Sequence, residues 1–140
     1  MRAGRFLIAI VIGMSTLFIV AEGIEFVAVQ LAAPRWTTEP HEYFAIRNRP
    51  GMLVLKFGYQ LAATILAGYI GALVAGHPFE RTVGMTTGMV QSGMFVVALL
   101  TPELRQNAPD WVWLALMPLT IFGFLTGARV RAMSSIQGRR

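Results

Sequence analysis

The chain has 140 residues, of which 55% are apolar and 14% charged, with a net charge of +5 and no cysteine. Soluble domains carry about 25% charge, so this chain lacks the polar surface that disorder, coiled coils and ordinary soluble enzymes require. The missing cysteines exclude disulfides, thiolate metal sites and Cys nucleophiles. The length suits one domain over residues 1–140.

A bilayer core about 30 Å thick needs roughly 20 apolar residues in a helix. In chain order, Phe6 to Ala33 is the first segment that qualifies, uncharged from Phe6 to Ala21. Met1 to Arg5 looks like the head of a signal peptide, but the apolar run is too long and lacks a clean small-x-small cleavage site. Retention as a span is expected. Glu22 and Glu25, three residues apart, share one side of this helix. At about 1.5 Å per residue, Glu22 lies roughly 25 Å from Arg5, in the outer quarter of the membrane.

The longest loop, Pro34 to Gly51, follows. Thr38 is a candidate N-cap, Glu39 and Glu42 suit a first helical turn, and Pro40 is tolerated that early. A short helix lying in the outer interface is predicted, with Tyr43, Phe44 and Ile46 dipping inward.

The second span is Met52 to Gly76. Lys56, Gln60, Ala63, Ala67 and Gly71 form one helical stripe. Gly68, Ala72 and Gly76 form a neighbouring ladder, while Leu61, Ile65, Tyr69 and Leu73 suit lipid. Lys56 enters from the outer side, about one turn below Met52, within reach of Glu22 or Glu25. A tight turn, His77 to Arg81, leads to the third span, Thr82 to Thr101, where Gly84, Thr87, Gly88, Gln91 and Ser92 share a face. A polar loop, Pro102 to Asp110, leads to the fourth span, Trp111 to Val130. There Thr120, Gly123 and Gly127 align after Pro118, where a kink is expected. The Gly84–Gly88 and Gly123–Gly127 spacings satisfy the small-xxx-small rule, read here as packing within one bundle. Gly13-Met14-Ser15-Thr16 echoes Gly84-Met85-Thr86-Thr87, and Gly71-Ala72 echoes Gly127-Ala128, as in a duplicated hairpin with parallel halves.

The prediction is an all-α membrane protein: four transmembrane helices in an up-down bundle, plus the short interfacial helix. With both termini on one side, seven of the twelve Lys and Arg fall there and five opposite, favouring cytoplasmic termini. Trp36, Trp111 and Trp113 sit at the other edge. The +5 balance therefore reads as a topology signal and a contact for anionic lipid, with no nucleic-acid partner.

Ionisable groups inside a membrane are candidate functional residues. Glu22, Glu25 and Lys56, with Gln60 and Gln91, make a predicted buried polar cluster in the outer half of the bundle. It is either a structural ion pair or a titrating proton site, and pairing is the favoured reading. His41 and His77 fall on opposite sides and cannot share a metal. Glu39, His41 and Glu42 read as a surface turn, so no metal or cofactor is expected. No phosphate loop, nucleophile elbow or HExxH is present.

The pattern resembles a group of small, uncharacterised, four-helix bacterial inner-membrane proteins. The matching features are an acidic residue late in the first span (Glu22 or Glu25) and a proline-containing outer loop. Leu66-Ala67-Gly68 with Gly71-Ala72 follows, then a fourth span with Trp111, Trp113, Pro118 and Gly127-Ala128-Arg129. The resemblance implies a fold and a bacterial inner-membrane location, not an activity. Small multidrug exporters are similar only in outline. The expected role is a non-catalytic accessory or structural subunit beside a larger membrane complex or its own copies. The alternative is a small proton-coupled transporter using Glu22 or Glu25.

Overall fold

The computed structural model describes residues 3–137. Six helices follow in order: α1 Ala3–Ala32, α2 Pro40–Arg47, α3 Pro50–Ala75, α4 Glu80–Leu100, α5 Pro102–Arg105 and α6 Asp110–Gln137. Four of them, α1, α3, α4 and α6, are long and apolar enough to cross a membrane. The protein is thus an all-α, multi-pass membrane protein. The ends of the spans shift slightly from expectation. Pro50 starts α3 because its missing N–H is one the first turn would leave unpaired anyway. The larger difference is α6, which continues past Val130 to Gln137. Hydropathy stops at Arg129, but the helix continues, and Ser135 near its end lies 3.5 Å from the buried Glu80 of α4.

Contacts at each end define the layout. Arg5 of α1 donates to the Val74 carbonyl near the end of α3, at 2.8 Å. That places a cation where a helix leaves carbonyls unpaired. Gly76 follows with φ +72° and closes α3. This end therefore gathers the start of α1, the end of α3, the start of α4 and the end of α6, and is called the terminal end. α2 and α5 lie at the opposite, loop end. In cross-section α3 packs between α1 and α6, and α4 packs mainly on α6.

Small residues draw the helices together in the terminal half. A Cβ on Gly84 would meet the Ala128 side chain at 2.6 Å, and one on Gly88 would meet the Ile121 backbone at 3.0 Å. On the α3–α6 seam, side chains at Gly68, Gly123 and Gly127 would collide with Phe124, Thr64 and Ile65 respectively. Gly71 faces the Ala9 carbonyl of α1, and Ala72 is fully buried. Of the two sequence echoes, the glycines of the first have matching roles, while Gly71 faces α1 and Gly127 faces α3. Gly13 of α1 faces Ala67 and Gly71 of α3, and Gly84 of α4 faces Phe124 and Ala128 of α6. One expectation fails here. Ile65 and Tyr69 do not face lipid freely, because Gly127 lets α6 seat directly on their backbone, and only Leu73 of that row is exposed.

The loop half is built differently. Gly23, Gly58 and Gly93 have open space around their Cα atoms. Bulky side chains (Leu53, Phe95, Val112 and Leu116) pack between α3, α4 and α6 instead. α6 runs through Pro118 without a break. Ser92 of α4 donates to the Met117 carbonyl beside that proline, at 3.1 Å.

Candidate functional site

The site grows from the loop after α1. Gln30 brackets Thr37: its Nε2 donates to the Thr37 carbonyl at 2.6 Å, and its Oε1 accepts from the Thr37 amide at 3.0 Å. The Thr37 hydroxyl then donates to Glu42 of α2 at 2.6 Å. The residue capping α2 is Glu39, not Thr38, and no side chain caps the helix, since Thr37 holds it from the side. Pro40 opens α2, Glu42 lies in its first turn and Arg47 in its last, which suits the helix dipole. The C-terminal end of α2 is tied to the α5–α6 loop by Asn48, whose Nδ2 donates to the Asn107 carbonyl at 3.0 Å. Arg47 is thereby pointed back at α1.

Glu25 receives it. Glu25 is 2% exposed. Its Oε1 lies 2.8 Å from Arg47 Nε as a charge pair, although that N–H is not aligned as a hydrogen bond. Its Oε2 accepts from Lys56 Nζ at 2.5 Å and also from the Tyr59 hydroxyl. Lys56, 5% exposed, and Tyr59 are three residues apart on α3, so both face α1. The carboxylate thus pins α1, α2 and α3 together.

The other predicted residues divide. Glu22 is exposed, contrary to its predicted burial with Glu25. Three residues are about 60° short of a full turn, and that offset carries Glu22 off the face that meets α3. Gln60 and Gln91 are buried, at 7% and 3% exposure. Neither sits on Glu25. Both line a cavity of about 240 Å³ between the four long helices, with Glu22, Arg47 and Lys56 at its polar side and Leu17, Phe95 and Leu116 among its apolar walls.

Sequence reasoning missed three contributors: Arg47, Tyr59 and Trp113. In sequence Arg47 reads only as a loop cation. Tyr59 carried a signal, its spacing from Lys56. Trp113 reads in sequence as a membrane-edge residue, but its ring packs at a tilt against Phe95, centroids 5.8 Å apart, and the residue lines the cavity. At the terminal end, His77 Nδ1 lies 3.8 Å from the buried Glu80, a carboxylate the sequence placed in a plain turn. Among the described residues no group of three or more His, Cys, Asp or Glu is placed to hold a metal.

Comparisons of the chain with protein-family models, curated proteins and solved structures return no match.

Proposed function

We propose that this protein is a non-catalytic accessory or structural subunit of a membrane assembly, seated beside a larger complex or its own copies. The Lys and Arg balance supports a bacterial inner membrane with both termini cytoplasmic. The observation that carries the reading is the full pairing of Glu25. A coupling carboxylate must release its partners in every cycle. Uncovering a buried charge of this kind costs several kcal/mol, and Glu25 holds two cations and a hydroxyl at once. It therefore acts as a fixed pin that makes three helices one rigid unit. α1 is also the least covered span, with 22% of its apolar window buried against 39–44% in the others. That leaves a long apolar wall for a neighbouring helix. Extraction in mild detergent followed by native electrophoresis tests this: the chain is expected to migrate with a larger assembly. Migration as a lone monomer ends the reading.

A second reading, a small proton-coupled transporter, is favoured by the exposed Glu22 at the cavity. Proteoliposomes holding a pH-sensitive dye, challenged with small organic cations and anions, test it. Proton movement must appear on challenge and disappear in Glu22→Gln. Equal signals in both sink it.

A further inference from the structure

The cavity in the loop half is lined by two residues that each carry a polar atom the fold leaves unused. Gln91 Oε1 and Trp113 Nε1 are buried and, among the described residues, have no hydrogen-bond partner. Both residues line the cavity. A buried acceptor and a buried donor left unpaired each carry their full desolvation penalty, so two on residues that line one cavity call for an occupant. Lys56 also lines it, and only one of the three ammonium protons is used, on Glu25.

Three properties restrict that occupant. The first is charge. Glu22 and Glu25 balance Arg47 and Lys56, so the surroundings sum to zero and favour a neutral molecule over an ion. The second is size. A cavity of about 150 Å³ holds benzene, and this one, at about 240 Å³, holds a single substituted ring. The third is chemistry. The occupant must accept from Trp113 Nε1–H and Lys56, donate to Gln91 Oε1, and fit between Leu17, Phe95 and Leu116. Access is sideways: Phe18 and Glu22 of α1 and Met94 of α4 line the cavity and are themselves exposed. α1 and α4 approach lower down, where Gly13 faces Thr87. A molecule dissolved in lipid can enter between them.

We propose that this cavity binds a neutral ring bearing hydroxyl or carbonyl oxygens, the chemistry shared by a membrane quinol head group and a free phenol. A hydroxyl donates to Gln91 while an oxygen of the same ring accepts from Trp113 and Lys56. The site is separate from the accessory role, because native electrophoresis reports assembly and ligand titration reports this cavity.

The test uses the full chain in nanodiscs of synthetic lipid, titrated calorimetrically with a short-chain benzoquinol kept reduced under argon and, separately, with propylphenol. Empty nanodiscs supply the partitioning background. Saturable binding of at least one probe at one site per chain is expected. Gln91→Leu and Trp113→Phe, each removing one polar atom while keeping an apolar side chain, are each expected to weaken it about fivefold to tenfold. Quinol binding assigns the site to a membrane quinol, and phenol binding alone assigns it to free phenols. Binding of neither probe overturns the proposal, as does wild-type affinity in either variant that remains folded by circular dichroism. A measurement without variants covers the case of misfolding. Photolabelling of the wild type with an azidophenol is expected to mark peptides containing Gln91–Ala98 or Trp113–Leu116, and labels confined elsewhere overturn it.

Discussion

Arg47, in the last turn of α2, reaches back across the loop to Glu25 of α1, with its Nε 2.8 Å from Oε1. A residue that reads in sequence as an outer-loop cation is thus part of the buried core of the loop half. Its side chain is 11% exposed, that of Glu25 2%. The contact makes α2 a bracket across the top of α1 and α3, and it leaves Glu25 shared between two cations.

That sharing predicts an order of damage. Glu25→Gln strands Arg47 and Lys56 together in one buried place. The expected loss is about 3–5 kcal/mol, the usual cost of breaking a buried pair. Lys56→Met leaves Arg47 and Glu25 as a one-to-one pair with Tyr59 still donating, so the loss is smaller, about 1–3 kcal/mol. Unfolding in mixed micelles measures both. Lys56→Met at or below the stability of Glu25→Gln contradicts the sharing.

The packing contrast between the two halves gives a second test. Gly127→Ala puts a methyl against the Ile65 backbone, which cannot move aside as a flexible side chain would. Overpacking of this kind costs about 1–3 kcal/mol. Gly93→Ala meets open space, and the helical preference for Ala makes it neutral to stabilising by about 0.5–1 kcal/mol. Equal effects of the two in the same unfolding assay count against a glycine-packed terminal half.

How far the sequence led can be judged from these residues. Span number and type were legible because a bilayer leaves no polar face on a helix, so length and hydropathy decide. The α2 helix was legible from Glu39, Pro40 and Glu42. The meeting of Lys56 with the first span was legible from depth alone. Which glutamate it meets was not. Glu22 and Glu25 share a side in sequence, and only the rotation of α1 against α3 separates them. Arg47 was hidden because its position depends on Gln30 holding Thr37 and Thr37 holding Glu42, a relay of specific side-chain contacts with no periodicity. The cavity was hidden for a related reason. Gln60, Gln91 and Trp113 come from three helices, and the space among them follows from where glycines bring the backbones close and where they do not.

Tyr43 gives a pH prediction. Burial first, and then the charge on Glu25, push its phenol up to about 12 from an ordinary 10. The folded chain therefore keeps the proton to higher pH than the unfolded chain. Its contribution is present in full below pH 10 and lost as the pH rises toward about 12. Ultraviolet titration is expected to show the same tyrosinate absorbance near pH 11 in wild type and Tyr43→Phe. An earlier rise in the wild type alone means that Tyr43 is not shielded.

Orientation is open to direct measurement because the chain has no cysteine of its own. Thr38, just before α2, is exposed, and Met133, near the end of α6, is 56% exposed. They lie at opposite ends of the bundle, so a single cysteine at each reports one side of the membrane. In intact cells a membrane-impermeant maleimide is expected to label Thr38→Cys and to spare Met133→Cys until the cells are opened. The expectation follows from the seven-to-five division of Lys and Arg toward the terminal end. Labelling of Met133→Cys alone reverses the orientation, and labelling of both shows that so small a charge difference does not select one.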